Sequence, residues 1–132
     1  MSRKMKILII IVIILIVIAT AYLIMLLNTN QIIRDVKAIM NSTIPKELTE
    51  GLPVDMYNRQ GVSDLGAVSH YVEIDRVLVL HNFFSGYMWV RYTCEGFDIY
   101  GNRVHGSWQI PALWQIKRID GKWEIVEIFE DP

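Results

Sequence analysis

His70, His81 and His105 are the side chains best suited by type to move a proton or hold a metal ion. No two of them stand at a metal-ligand spacing such as HxxxH. His81, with Asn82, closes one β-like run and His105 opens another, which suits strand-end histidines at the surface. Glu73 and Asp75 lie two apart in the first of these runs, with Tyr71, Tyr87, Tyr92 and Tyr100 as nearby types. An acid on an inner sheet face beside a tyrosine would make a base and an oxyanion donor. The plainer expectation is a solvent-facing pair opposite Arg91 or Arg103, each cross-strand contact worth about 0.2–1 kcal/mol. Cys94 alternates with Met88, Val90 and Tyr92, which predicts burial as a small apolar side chain. The chain has no G-x-S-x-G and no glycine-rich phosphate loop, and its residues call for no cofactor.

The aromatic residues are more informative. Thirteen of the fourteen follow residue 56, and all four tryptophans (Trp89, Trp108, Trp114 and Trp123) fall in strand-like segments. A domain of this size seldom needs four core tryptophans, and Trp and Tyr favour interface hot spots and ligand pockets. Trp89, Trp108, Trp114, Tyr92 and His105 are therefore the candidate contacts for a ligand or partner. Trp108 or Trp114 is expected to be partly exposed, with a bend at Pro111 between them.

These residues need elements to position them. Ile32, Ile33, Val36, Ile39 and Met40 recur at i, i+1, i+4, i+7 and i+8, with Arg34, Asp35, Lys37 and Asn41 between them. That is one face of an amphipathic helix over 30–41, and packing against its own sheet is the natural use of the stripe. Asn41-Ser42-Thr43 ends it and also forms a glycosylation sequon, relevant only in a eukaryote. Pro45 suits the first turn of a short second helix, stopped by Gly51 and Pro53. Residues 51–68 read mostly as loop, with one helical turn near Val62–Leu65. Strands follow at about 71–84, 87–100, 103–119 and 122–130. Ser85-Gly86, Gly101-Asn102 and Asp120-Gly121 mark the turns, and Gly96 and Pro111 mark bulges or edges. Short turns make the sheet an antiparallel meander. Both faces carry apolar residues: Trp89 opposes Val90, and Leu113 opposes Trp114. One face is left for the helix. The other needs cover from sheet curl, from residues 51–68 or from a partner.

The first 27 residues are of another kind. Ile7 to Leu27 holds 20 apolar residues out of 21, after Arg3, Lys4 and Lys6, and no charge follows until Arg34. As a helix this run measures about 31 Å, against a hydrocarbon core of about 30 Å. Its sixteen Ile, Leu and Val residues favour insertion by about 5–10 kcal/mol. A retained transmembrane helix is the expectation, with the lipid bilayer as its partner. Ala19-Thr20-Ala21 offers a cleavage-type alternative, but the apolar run continues past it. No cysteine follows the run as a lipoprotein would require. The basic start places residues 1–6 in the cytoplasm and residues 28–132 outside.

Residues 28–132 are about 45% apolar and carry ten Lys/Arg against fourteen Asp/Glu, a net of −4. Long disorder is excluded, and nucleic acid is disfavoured as a partner. A lone cysteine excludes a disulfide scaffold. The fold class expected is α+β: an N-terminal transmembrane helix, then one or two helices packed on a curved four-stranded antiparallel meander.

Helix first, then such a meander closing through Trp114 to Val126 (WQIKRIDGKWEIV), resembles the nuclear transport factor 2-like fold, the cystatin-like cone. The resemblance covers about residues 30–130 and rests on element order and this one hairpin. The long second and third helices usual there are short or absent in 43–68, which implies a truncated cone with an open mouth. The superfamily includes ketosteroid isomerase and scytalone dehydratase. It also holds non-catalytic modules, among them single-span scaffold subunits of conjugative secretion systems and domains of cell-wall proteins. Small anchored versions in Gram-positive bacteria look most like this chain. The function expected is binding: a non-catalytic membrane-anchored module or scaffold of a cell-envelope assembly, with a protein partner there. The alternatives are an apolar-ligand carrier or an isomerase- or dehydratase-like enzyme using the cone.

Overall fold

The structure, a computed structural model, describes residues 1–41, 45–58 and 66–130. Helix α1 spans Arg3–Asn28 and α2 spans Asn30–Met40. Ser2 caps the start, its Oγ accepting from the Met5 N–H at 3.2 Å. Only Thr29 separates the two helices, and it keeps right-handed helical angles (φ −65°, ψ −16°). Its N–H still reaches Met25 O at 3.2 Å, and its buried hydroxyl donates to Leu26 O at 2.6 Å. The apolar run and the amphipathic stripe thus share one nearly continuous helix. Residues 3–21 of α1 are exposed all round, so this length buries nothing in the protein itself, and it is long and apolar enough to cross a membrane.

The amphipathic stripe is where the spacing places it. Ile32, Val36, Ile39 and Met40 are buried in one core with Ile74 and Val79, with Met88, Val90, Tyr92 and Cys94, and with Ala112, Trp114, Ile116, Trp123 and Ile125. The expected second helix is reduced to 3-10 turns at Lys46–Leu48 and Pro53–Tyr57. Pro53 starts the second turn rather than stopping the first, because its fixed φ suits a first helical position. Ser42 and Thr43 of the sequon, and the turn expected near Val62–Leu65, lie outside the described residues.

The strands are β1 (Ser69–His81), β2 (Ser85–Phe97), β3 (Arg103–Ile119) and β4 (Lys122–Phe129), paired antiparallel in the order β1-β2-β3-β4 in one open sheet. The first two run two residues earlier at their starts than the sequence suggested and stop three short at their ends. Asn82 explains the first difference. Its Oδ1 accepts from the Phe84 and Ser85 N–H groups at 3.2 and 2.9 Å, so the chain turns at Asn82–Phe84 and Ser85-Gly86 already belong to β2. Asp98 explains the second. Its Oδ1 accepts from the Tyr100 and Asn102 N–H groups, both at 2.9 Å, and closes an Asp98–Asn102 loop where a two-residue turn was expected. Asp120-Gly121 is the expected tight turn, with both residues at positive φ (52° and 79°).

Pro111 lies opposite Arg91 on β2, but β4 ends with Phe129 opposite Leu113. At Pro111 strand β3 is therefore a sheet edge, where a missing N–H costs no ladder bond. A register shift comes just before it. Tyr92 faces Ile110 while Cys94 faces Ser107, so Trp108 and Gln109 together oppose Thr93. Gln109 adopts φ 50°, and its N–H is taken by the buried Thr93 hydroxyl at 3.1 Å.

Candidate functional site

The five residues singled out by type separate into different places. Trp114 is fully buried (0% exposed) and Tyr92 nearly so, both on the helix-facing side of the sheet. They are core residues, because α2 and the Pro53–Tyr57 turn cover that side, and they offer no surface to a partner. Tyr57 joins them, its ring edge-on to Tyr92 at 5.3 Å and tilted to Trp114 at 6.0 Å. Trp108 is 75% exposed, thrown outward by the bulge it occupies. Trp89 is half-buried on the opposite sheet face from the core. His105 is half-buried over Gly96, where an added Cβ would lie 2.1 Å from its Nε2. Its ring lies 5.6 Å from that of His70.

His81 departs from the strand-end surface position expected of it. It is buried, and its ring stacks on that of Tyr22 at 3.9 Å and 16°. The Phe83 N–H donates to Nδ1 at 3.0 Å, so Nε2 carries the proton and donates to the Tyr22 carbonyl at 3.0 Å. The histidine is thereby a clasp between sheet and membrane-type helix. His81 pairs with Gly86 and His105 with Gly96, ten residues apart along β2, so the two histidines do not meet.

Sequence reasoning missed Glu130, Tyr57 and Tyr22. Glu130 receives hydroxyl hydrogen bonds on both carboxylate oxygens, from Tyr57 at 3.0 Å and from Tyr92. The Trp114 Nε1–H donates to the Tyr57 oxygen at 3.0 Å. This chain of four polar groups closes the end of the core beside the last strand. Nothing around Glu130 in the sequence signals it. Tyr22 carried one signal, as the only aromatic residue in the apolar run.

Of the two acids in the first strand, only Asp75 lies opposite an arginine, and Glu73 lies opposite Thr93. Asp75 faces Arg91 directly across the β1–β2 ladder, and both are exposed. Arg103 pairs instead with Glu95 at 3.0 Å. The exposed Tyr71 hydroxyl donates to Glu73 Oε2 at 2.8 Å. That hydrogen bond and the Glu73 charge hold the phenol pKa above its ordinary value, so it stays neutral. Cys94 is buried as expected. No group of three or more His, Cys, Asp or Glu among the described residues could hold a metal ion.

Two surfaces remain that could take a ligand or partner. The first is the sheet face turned away from α2. Leu78 faces Trp89, Trp89 faces Leu113 and Leu113 faces Phe129, so one row of apolar side chains crosses all four strands. The neighbouring row adds Leu80 opposite Tyr87, whose ring lies 6.1 Å from Trp89. Leu78, Leu80, Tyr87 and Phe129 are exposed, so no element of the described chain covers this face. The second is a cleft of about 250 Å³ between α2, the Leu48–Val54 stretch and the start of β4. Ile39, Leu52, Val54 and Ile125 line it, with Asp35 and Lys122 at the same site, 3.7 Å apart. Trp123 is also in its wall, and its buried Nε1 has no hydrogen-bond partner among the described residues.

No protein-family model matches this chain, and no curated protein is significantly similar to it.

Proposed function

We propose that this protein is a non-catalytic, membrane-anchored binding module of a cell-envelope assembly, and that it docks a protein partner on its outward sheet face. The Leu78–Trp89–Leu113–Phe129 row carries this reading. A monomeric domain gains nothing from a tryptophan and three aliphatic or aromatic neighbours lined up in water, whereas a partner gains a central hot spot. In this reading α1 is a retained single span, residues 1–6 stay in the cytoplasm, and the sheet domain stands outside. The order of one packed helix and then four consecutively paired strands supports the further reading that the domain is of the nuclear transport factor 2-like type.

The test is a pull-down of the C-terminally tagged full-length protein in mild detergent, with mass spectrometry of proteins and lipids. A stoichiometric protein partner is expected with the native chain and lost with Trp89→Asp. A native chain that purifies alone as a monomer overturns the proposal. The second reading, an apolar-ligand carrier, rests on the 250 Å³ cleft and the unpartnered Trp123 Nε1 in its wall. A lipid recovered in stoichiometric amount, and lost with Leu52→Trp at the exposed wall of the cleft, would favour it instead.

A further inference from the structure

Strand β1 runs down the side of the helix toward the membrane-type segment. Arg76 Nη1 donates to Asn30 Oδ1 at 2.8 Å, and five residues later His81 meets Tyr22, eight residues back along the helix. Five strand residues cover about 16 Å and eight helical residues about 12 Å, so the two run side by side in opposite directions. The chain continues past His81 to Phe84 before it reverses into β2. The tip is therefore level with α1 at Tyr22 and the turn before it. Leu27, the last residue of the apolar run, lies five residues, about 7.5 Å, back toward the domain.

Two features of the tip suit a non-aqueous neighbour. Phe84 is 73% exposed, although Phe83 beside it packs edge-on against Tyr22 at 5.9 Å. Every backbone N–H from Asn82 to Ser85 is satisfied within the protein. Asn82 donates to Ser85 O at 2.9 Å, Phe83 donates to His81 Nδ1, and Phe84 and Ser85 donate to Asn82 Oδ1. A turn satisfied in this way leaves no N–H group that would have to find water at the lipid boundary. The span supplies a third argument. If the whole tip stayed in water, only the 15 residues from Ile7 to Ala21 would remain for the hydrocarbon. That is about 22 Å of helix for a core of about 30 Å.

We propose that the Asn82–Ser85 tip is an interfacial membrane wedge, with Phe84 seated at the boundary of headgroups and acyl chains of the bilayer that α1 crosses. The inference rests on the reading of α1 as a retained span. Its partner is the phospholipid surface. Lys117 and Arg118 are exposed beside the tip, the Arg118 N–H donating to Phe84 O at 2.8 Å, and long cationic side chains at this level would be available to lipid phosphates. The wedge and the His81–Tyr22 clasp together fix the height of the domain over the membrane and leave the outward sheet face at a set angle for its partner.

The test places a nitroxide on full-length protein in phosphatidylcholine–phosphatidylglycerol vesicles, at Phe84→Cys, Leu15→Cys or Trp108→Cys. The native chain, whose Cys94 is buried, serves as the unlabelled control. Collision with dissolved oxygen and with a water-soluble nickel chelate reads depth. The label at Leu15 is expected to be deep, and that at Trp108 in water. The label at Phe84 should show an oxygen-to-nickel ratio several-fold above the Trp108 value. A Phe84 ratio equal to that of Trp108, with Leu15 deep, overturns the wedge and leaves the anchor standing. A Leu15 label accessible to nickel overturns both.

Discussion

Gly86 shows how a single residue sets the geometry at the end of the sheet that meets Tyr22. A Cβ there would lie 2.1 Å from Leu80 O and 2.9 Å from the His81 Cα, both backbone atoms that cannot move aside cheaply. Gly86→Ala is expected to cost about 1–3 kcal/mol, the range for forcing atoms into packed space. Urea unfolding followed by tryptophan fluorescence of the detergent-solubilised full-length protein checks this. The two tryptophans flanking the Pro111 edge make a second contrast at this scale. Trp114→Ala removes a fully buried indole and its bond to Tyr57, and about 3–5 kcal/mol is expected to be lost. Trp108→Ser changes an exposed side chain on a bulge, and a change within about 0.5 kcal/mol is expected. The same unfolding measurement separates them. Equal losses would show that Trp108 is covered in the native protein.

At the scale of elements, the clasp of His81 on Tyr22 joins a sheet to a helix that otherwise meet mainly through α2. His81→Ala removes one hydrogen bond to a backbone carbonyl, one to the Phe83 N–H and a ring stack. A local loss of about 1–2 kcal/mol is expected, confined to the hairpin tip and α1 below Thr29. Amide hydrogen exchange of the full-length protein should then quicken roughly five- to thirty-fold at Phe83–Ser85. Exchange in the centre of β2 and β3 should hold. Uniform acceleration across the sheet would show that the clasp carries the whole fold rather than one joint. The turns at this scale were only partly legible. Asp120-Gly121 announces itself by type. The Asn82 and Asp98 turns depend on which backbone N–H groups each side-chain oxygen reaches, which spacing does not encode.

For the molecule as a whole, the apolar run and the outward aromatic row are the two apolar surfaces on which the proposed binding role rests. The described chain has one core, on the α2 side of the sheet, and leaves the other side apolar and open. Leu113→Asp in the middle of the open row is expected to leave unfolding within about 1 kcal/mol of the native value, since no element packs over it. The same change is expected to abolish recovery of the partner in the detergent pull-down. A variant that unfolds instead would mean that the row is structural.

The sequence by itself determined whatever depends on period and composition. A 21-residue run with no charge has one way to satisfy its backbone in lipid, as a helix. The i, i+4, i+7 stripe of α2 and the alternation of Met88, Val90, Tyr92 and Cys94 each had one face to bury, and each buried it. Asp75 opposite Arg91, the buried Cys94 and the edge at Pro111 follow from the same local rules. Only the tertiary structure decided which aromatics are core and which are surface. Trp114 and Trp108 are alike in type and neighbourhood, and a two-residue bulge against Thr93 sends one inward and the other out. It also decided that His81 meets Tyr22, 59 positions away, and that Glu130 meets Tyr57 and Tyr92. Such pairings depend on how far β1 runs along the helix and where β4 ends. Those lengths are set by the packing of the whole sheet, which no local pattern of residues contains.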